Sequence, residues 1–258
     1  MTALPPASRA RRAVRASLPV ALCAGLTAVL TACGEDPDEG TNGVGKLSAT
    51  EIEAKAQGAA DTAKAVRLSG TLVSKGGTYK LNMRLNETGA IGSVVTRTST
   101  FELLRVGDAL YLKADADFWT HAENAGGDEP AESDLTAADK LDDKYVVVPQ
   151  DDPSYKQLRG FTEKNVLLDG LLELHGEVVK GDRAKVGGIR TIKVAGGAQG
   201  EGGTLDVSLE GTPYPVQFAR GGGAGVVVLS DWNQDFALRA PAKEETVDYG
   251  RQLPRTSD

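Results

Sequence analysis

Alternating apolar and polar residues mark many short strands along this chain. Every odd-numbered residue from Tyr79 to Asn86 is apolar, and the same alternation occurs at 66–72 and 204–210. This period of two, with glycine-rich turn signals between the runs, predicts antiparallel strands with one face in water. Further strands are predicted at 91–98, 100–106, 109–114, 144–148, 175–181, 186–195, 215–219, 225–230 and 235–240. About a dozen strands in meander order would make one sheet large enough to curl.

Helical spacing appears at the start of this region and in its middle. Residues 50–66 repeat apolar positions every three or four residues, with Ser48 or Thr50 as the candidate N-cap. Short helices are predicted at 114–121, 135–142 and 154–158, and the strongly apolar stretch 161–174 follows them. We therefore expect an α+β fold, with a large curled antiparallel sheet (a half-barrel) and helices that cover its concave apolar face.

The N-terminal segment has the layout of an export signal. Four arginines precede fifteen mostly apolar residues, 18–32, and this run is too short for a spanning helix of about 20 residues. The sequence Leu30-Thr31-Ala32-Cys33 resembles a bacterial lipobox, which implies cleavage before Cys33 and a diacylglyceryl group on its thiol. We predict a signal peptide over 1–32 and lipidation at Cys33. The alternative is an ordinary secretory signal with an unrelated cysteine.

Charge and cysteine content limit the possible partners of the mature chain. Without residues 1–32 it has 25 basic and 36 acidic residues, a net charge of −11. Such a chain is a poor binder of nucleic acid or of anionic lipid, so acyl chains on Cys33 would provide its attachment to the membrane. Cys23 is removed with the signal, which excludes disulfides and thiolate metal sites.

Composition divides the mature chain into three parts. Residues 33–47 hold the lipidated cysteine and a polar, acidic stretch without apolar periodicity, which predicts a disordered tether. The fourteen residues 34–47 would have an end-to-end distance of about 20 Å as a coil. One domain is predicted over 48–241, followed by a polar tail over 242–258.

Two segments carry a resemblance to a known family. Residues 107–119 (GDALYLKADADFW) and 229–233 (LSDWN) resemble the LppX/LprG-type lipoproteins of the actinobacterial envelope. The resemblance covers about 46–241 in element order. It implies a half-barrel similar to the LolA/LolB carriers, which binds acylated lipid or lipoglycan in an apolar cavity and transfers it across the envelope. It also implies an exported protein anchored at the outer face of the cell membrane.

The residues that would line such a cavity are the apolar faces of the clearest strands and the apolar stretch 161–174. A filled core would need the same residues, so the sequence leaves both interpretations open. The candidates are Leu68, Leu72, Leu81, Met83, Leu85, Val166, Leu168, Leu171, Leu172, Leu205, Val207, Leu209 and Phe218.

Catalytic motifs are missing from the sequence. The two histidines, His121 and His175, are far apart, and neither a His-Glu-x-x-His motif nor a Gly-x-Ser-x-Gly elbow occurs. We expect no enzyme activity, no cofactor and no metal, and we expect a monomer. Two functions remain: a lipid-binding and lipid-carrying lipoprotein, and an anchored scaffolding or sensor-accessory module with the same fold and a filled core.

Overall fold

The computed structural model describes residues 37–74, 77–123 and 132–248, which all lie in one compact unit, Pro37–Asp258. Within these ranges it has five α-helices and twelve strands. The helices are α1 (Ala49–Thr62), α2 (Ala116–Glu123), α3 (Glu132–Leu141), α4 (Pro153–Gly160) and α5 (Lys164–Leu172). The strands are β1 (Ala65–Ser74), β2 (Gly77–Asn86), β3 (Gly89–Val95), β4 (Thr100–Val106), β5 (Ala109–Ala114), β6 (Tyr145–Val148), β7 (Val178–Val186), β8 (Ile189–Gly196), β9 (Thr204–Ser208), β10 (Pro215–Ala219), β11 (Gly225–Ser230) and β12 (Thr246–Val247).

All twelve strands belong to one curled, unclosed sheet, in the order β12-β6-β5-β4-β3-β2-β1-β11-β10-β9-β8-β7. The meander β1–β6 and the meander β7–β11 meet where β1 pairs with β11, so the strands on both sides of the helical insert share one sheet, as predicted. Every pair is antiparallel except the two-residue pairing of β12 with β6, which makes the sheet mixed. The expected half-barrel with helices is confirmed.

The strand register aligns apolar side chains on the inner face. Leu68 of β1 lies opposite Met83 of β2 and Leu229 of β11. Leu205 of β9 lies opposite Phe218 of β10 and Val194 of β8. These residues form a single buried cluster with the inward side chains of all five helices, so the core lies between the sheet and the helices.

The predicted strand at 235–240 does not form. Strand β11 precedes this stretch and already lies between β1 and β10, so the sheet offers no free edge beside it. Its apolar residues instead lie across the β2–β3 end of the sheet. The Phe236 ring covers the guanidinium of Arg84 at 4.7 Å, and Leu238 reaches Gly89. The chain then continues to β12 at the β6 edge.

The apolar stretch 161–174 is shorter as a helix than predicted. Helix α4 continues to Gly160, a turn follows at 161–163, and α5 covers only Lys164–Leu172. None of the described helices is long and apolar enough to cross a membrane.

The described part of the predicted tether, residues 37–47, is folded onto the sheet. Asp38 pairs with Arg183 of β7 at 2.6 Å between Oδ2 and Nη2, and the Asn42 amide donates to the Ser208 carbonyl at 3.0 Å. Val44 is buried in the core, within a 3-10 turn, Val44–Lys46. The expectation of disorder is corrected for these residues, because one buried valine and basic partners on the sheet hold an otherwise polar stretch.

Replacing Ser48 by alanine should lower the free energy of unfolding by about 1 kcal/mol. Ser48 begins α1 with a capping box: Glu51 N donates to Ser48 Oγ at 3.4 Å, and Ser48 N donates to Glu51 Oε2 at 2.9 Å. Thr50→Ala is the control, because Thr50 lies inside the first turn and is not the cap. Urea unfolding of both variants tests this, and an equal loss in both would contradict the assignment of Ser48.

Candidate functional site

The structure brings twelve of the thirteen candidate cavity residues together in the core cluster between sheet and helices. They are Leu68, Leu72, Leu81, Met83, Leu85, Leu168, Leu171, Leu172, Leu205, Val207, Leu209 and Phe218. The exception is Val166, whose surface is 53 % exposed. The prediction that Val166 lies in the interior was wrong. The buried face of α5 consists of Leu167, Leu168, Leu171 and Leu172, and Val166 lies on the opposite, solvent-exposed side.

The interior is closely packed around the centre of this cluster. Five of the twelve candidates have no exposed surface at all: Leu68, Met83, Leu85, Leu205 and Val207. A void large enough for a water molecule beside any of them would appear as accessible surface. The half-barrel is therefore filled around these five residues in this conformation, and an acyl chain would need a displacement of the residues that cover them.

Helix α5 covers part of the sheet and depends on apolar packing for its position. It has nine residues and no side-chain hydrogen bond that caps its N-terminus. A helix of this length is not stable alone and depends on its packing. Its four buried leucines provide that packing, so contact with the core, rather than capping, keeps it in place.

A polar pocket of about 580 Å³ lies at the N-terminal end of α5. The β2–β3 turn, the β4–β5 turn, the end of α1 and the α4–α5 turn surround it. Its cationic lining residues are Arg105, Arg159 and Lys164, and its acidic ones are Asp61, Glu87, Asp108 and Glu163. Arg159 and Glu163 pair with each other at 2.9 Å.

Arg105 is a buried arginine that joins three parts of this pocket wall. Its Nε and Nη2 atoms donate to the Thr162 carbonyl at 3.2 and 2.8 Å, and its Nη1 donates to the Gly107 carbonyl at 2.7 Å. Burial lowers the pKa of the Arg105 guanidinium, because the charged form loses solvation. The side chain thus fixes the turn before α5 to strand β4.

Lys164 is the second buried cation of the pocket. Its Nζ donates to the carbonyls of Ala60 and Asp61, at 3.4 and 3.2 Å, in the last turn of α1. This is a favourable end of a helix for a positive charge. Burial lowers the pKa of the Lys164 ammonium, for the same reason as in Arg105. Lys164 thus connects the start of α5 to the end of α1.

A smaller pocket of about 200 Å³ continues along the contact between α1 and α5. Gln57 and Asp61 of α1 line one side, and Leu168 and Leu172 of α5 line the other. Asp61 borders both pockets. The exposed Asp169 and Glu173 also line the smaller pocket, so this seam between the two helices combines carboxylates with leucines of the core.

Sequence reasoning missed this pocket, although the chain contains a signal for it. Phe101 and Leu103 of β4 point into the core, and Arg105 has the same parity in the strand. A charged residue at an apolar position of a strand indicates a buried polar contact. Lys164 is likewise a lysine within the apolar stretch 161–174.

Other polar residues of the chain have structural roles or lie on the surface. Asp115 accepts a hydrogen bond from Phe118 N at 2.8 Å and so caps α2. The His175 side chain is 71 % exposed, because it lies in the connection before β7. The His121 side chain and Cys33 lie outside the parts that the structure describes. Among the described residues, no cluster of three or more His, Cys, Asp or Glu side chains could hold a metal ion.

Comparisons with known proteins find only distant structural likeness. No protein-family model and no curated protein matches the chain. The crystal structure of the Mycobacterium tuberculosis lipoprotein LppX is similar with 13 % identity and a TM-score of 0.43, over 74 % of this chain and 100 % of that chain. An uncharacterized conserved protein from Thermus thermophilus is similar with 9 % identity and a TM-score of 0.38, over 78 % of this chain and 98 % of that one. Likenesses this distant carry no argument about function.

Proposed function

We propose that this chain is a lipid-anchored protein at the outer face of the cell membrane. It binds the acyl chains of a lipid or lipoglycan inside the half-barrel and carries that lipid between membrane and envelope. The supporting observation is the construction of the interior: a large apolar cluster lines the concave side of an open sheet, and the short helix α5, which has no side-chain cap at its N-terminus, covers part of it. Displacement of α5 would expose Leu168, Leu171 and Leu172 to an acyl chain.

The close packing of the interior favours a second candidate. A half-barrel with no water-sized space around Leu68, Met83 and Leu205 needs no ligand to be stable. In that case the anchored domain would act through its surface as a scaffold or a sensor-accessory module. Neither candidate includes a catalytic step, a cofactor or nucleic acid, and both are proposed as monomers.

Mass spectrometry of organic extracts separates the two candidates. The chain from residue 33 onward, carrying Cys33→Ser so that no acyl group of its own interferes, is purified without detergent and extracted. Recovery of lipid in a defined ratio to protein supports the carrier. Extracts without lipid, together with no lipid uptake from added vesicles, would contradict the carrier and support the scaffold function.

The anchor has a test of its own. Cys33→Ala should move the protein from the membrane fraction to a soluble or uncleaved form, because the thiol that would carry the acyl chains is lost. The fold of residues 46–241 should stay unchanged by circular dichroism, since Cys33 precedes every described element. A cleaved Ala variant that stays in the membrane fraction would contradict lipidation at this residue.

A further inference from the structure

The pocket at the start of α5 has two buried cations inside and exposed carboxylates at its rim, together with the partly exposed pair of Arg159 and Glu163. Arg105 is 6 % exposed and Lys164 is 4 % exposed, whereas Asp61, Glu87 and Asp108 are exposed. Water screens the rim carboxylates more strongly than it screens the buried cations. A ligand that enters the pocket therefore meets the exposed carboxylates and the Arg159–Glu163 pair first, and the two buried cations last.

The two buried cations keep unused hydrogen-bond donors. Arg105 has five N–H groups, and its three bonds to the Thr162 and Gly107 carbonyls leave two of them. Lys164 has three N–H groups and donates to two carbonyls, which leaves one. Among the described residues, neither side chain has a carboxylate partner within 4.0 Å. Glu163, the nearest candidate along the chain, forms its ion pair with Arg159 instead. Nearby carboxylates act on both cations without forming an ion pair: Glu163 and Asp108 on Arg105, and Asp61, Glu87 and Asp169 on Lys164. Burial is still the largest effect on both cations, and an anion in direct contact would offset it.

We propose that this pocket binds the phosphodiester of a phospholipid whose headgroup also carries an ammonium, as in phosphoethanolamine. The inference rests on the proposed lipid-binding function and names its ligand class. The phosphate oxygens accept from Arg105 and Lys164 at the bottom, and the ammonium faces the carboxylates at the rim. The lining has three cations and four carboxylates, so a neutral zwitterion suits it better than a bare phosphate dianion.

The acyl chains of the same molecule follow the seam between α1 and α5. Asn165, Leu168, Asp169 and Leu172 border the two pockets at helical spacing, so they share one face of α5. Leu168 and Leu172 also belong to the core cluster. An acyl chain that leaves the headgroup pocket along this face reaches the interior by displacing Leu168 and Leu172, while Lys164 in the first turn of α5 stays at the phosphate.

Calorimetric titration with short-chain lipids below their micelle concentration tests the proposal on the Cys33→Ser chain from residue 33 onward. The probes are dihexanoylphosphatidylethanolamine, dihexanoylglycerol, glycerophosphoethanolamine and inorganic phosphate. The phospholipid should bind at least about tenfold more tightly than dihexanoylglycerol, because it adds charge-assisted hydrogen bonds. Glycerophosphoethanolamine should bind more tightly than inorganic phosphate.

Two methionine variants supply the matched comparison. Lys164→Met should weaken binding of the phospholipid about tenfold and leave dihexanoylglycerol unchanged, since only the headgroup loses a charged donor. Lys156→Met should change neither, because Lys156 is exposed on α4 and does not line the pocket. The comparison of probes on the unsubstituted pocket does not depend on whether the Lys164 variant folds.

The outcomes separate this proposal from the function on which it rests. Equal affinity for phospholipid and dihexanoylglycerol would overturn the headgroup site while lipid binding stands. Binding of glycerophosphoethanolamine that requires Lys164, without binding of any acylated probe, would support the pocket and remove the carrier function. Inorganic phosphate bound as tightly as glycerophosphoethanolamine would mean a free-phosphate site, and no binding of any probe would overturn both.

Discussion

Leu168→Ala should lower the free energy of unfolding of the lipid-free protein by about 2–5 kcal/mol. Leu168 lies on the inner face of α5, is almost wholly buried and belongs to the core cluster. Its truncation removes apolar contact and leaves a cavity that the curled sheet cannot easily collapse to fill. The polar contacts of α5, from Lys164 to the end of α1 and from Arg105 to the preceding turn, lie at its N-terminal end and do not replace the lost packing. Urea unfolding measures the loss.

Val166→Ala is the matched control for Leu168→Ala. Val166 lies two residues away on the exposed side of the same helix, so its truncation should change stability by no more than about 0.5 kcal/mol. If both variants behave alike, α5 is not packed on the core in solution. If an acyl chain contacts Leu168 in the loaded protein, Leu168→Ala should also weaken lipid uptake while Val166→Ala does not.

Leu81→Trp should destabilise the lipid-free protein by about 1–3 kcal/mol or more, because it overfills a packed interior. Leu81 is buried on the inner face of β2, opposite Gly70 of β1 and Val94 of β3. The larger side chain must displace residues that cover the sheet. Leu205→Trp on β9 should act in the same way, since Leu205 has no exposed surface. Thermal unfolding and lipid uptake are measured together on both variants.

Lys80→Trp is the control for Leu81→Trp, because Lys80 is its neighbour on the exposed face of the same strand. It should leave both stability and uptake near those of the unsubstituted protein. A Leu81→Trp protein as stable as the unsubstituted chain, but unable to take up lipid, would mean that the interior opens for an acyl chain. Loss of stability in both inner-face variants, beside an unsubstituted chain that takes up no lipid, would support the scaffold.

Alternation along the strands was sufficient to predict the half-barrel. In β2, the odd-numbered apolar residues predicted by the pattern are those that face the core, from Leu81 to Leu85. The helical insert between two runs of strands was also correct. Such patterns show which side of an element is apolar. A sheet with one apolar face buries that face under other elements, here the helices.

Residues whose position depends on distant partners could not be predicted in this way. Phe236 and Leu238 alternate like a strand but find no free edge. Val166 lies in the most apolar stretch but on its outer side. Whether Leu205 borders a void or other side chains depends on how closely the helices pack, which local periodicity does not determine. Alternation in β4 places Arg105 at an inward position, but the Thr162 carbonyl that pairs with it comes only from the assembled α4–α5 turn.

The docking of residues 37–47 limits how far the domain could move from the proposed anchor at Cys33. A free coil of fourteen residues would have allowed the domain to move about 20 Å from its anchor. With Pro37 already part of the folded unit, only four peptide steps separate it from Cys33, and even fully extended they span about 14 Å. In the proposed lipid-anchored form, the domain would therefore stay close to the membrane surface. If the protein is anchored and carries lipid as proposed, a receiving protein would have to come to the membrane surface to accept that lipid, because so short a connection does not let the domain travel to it.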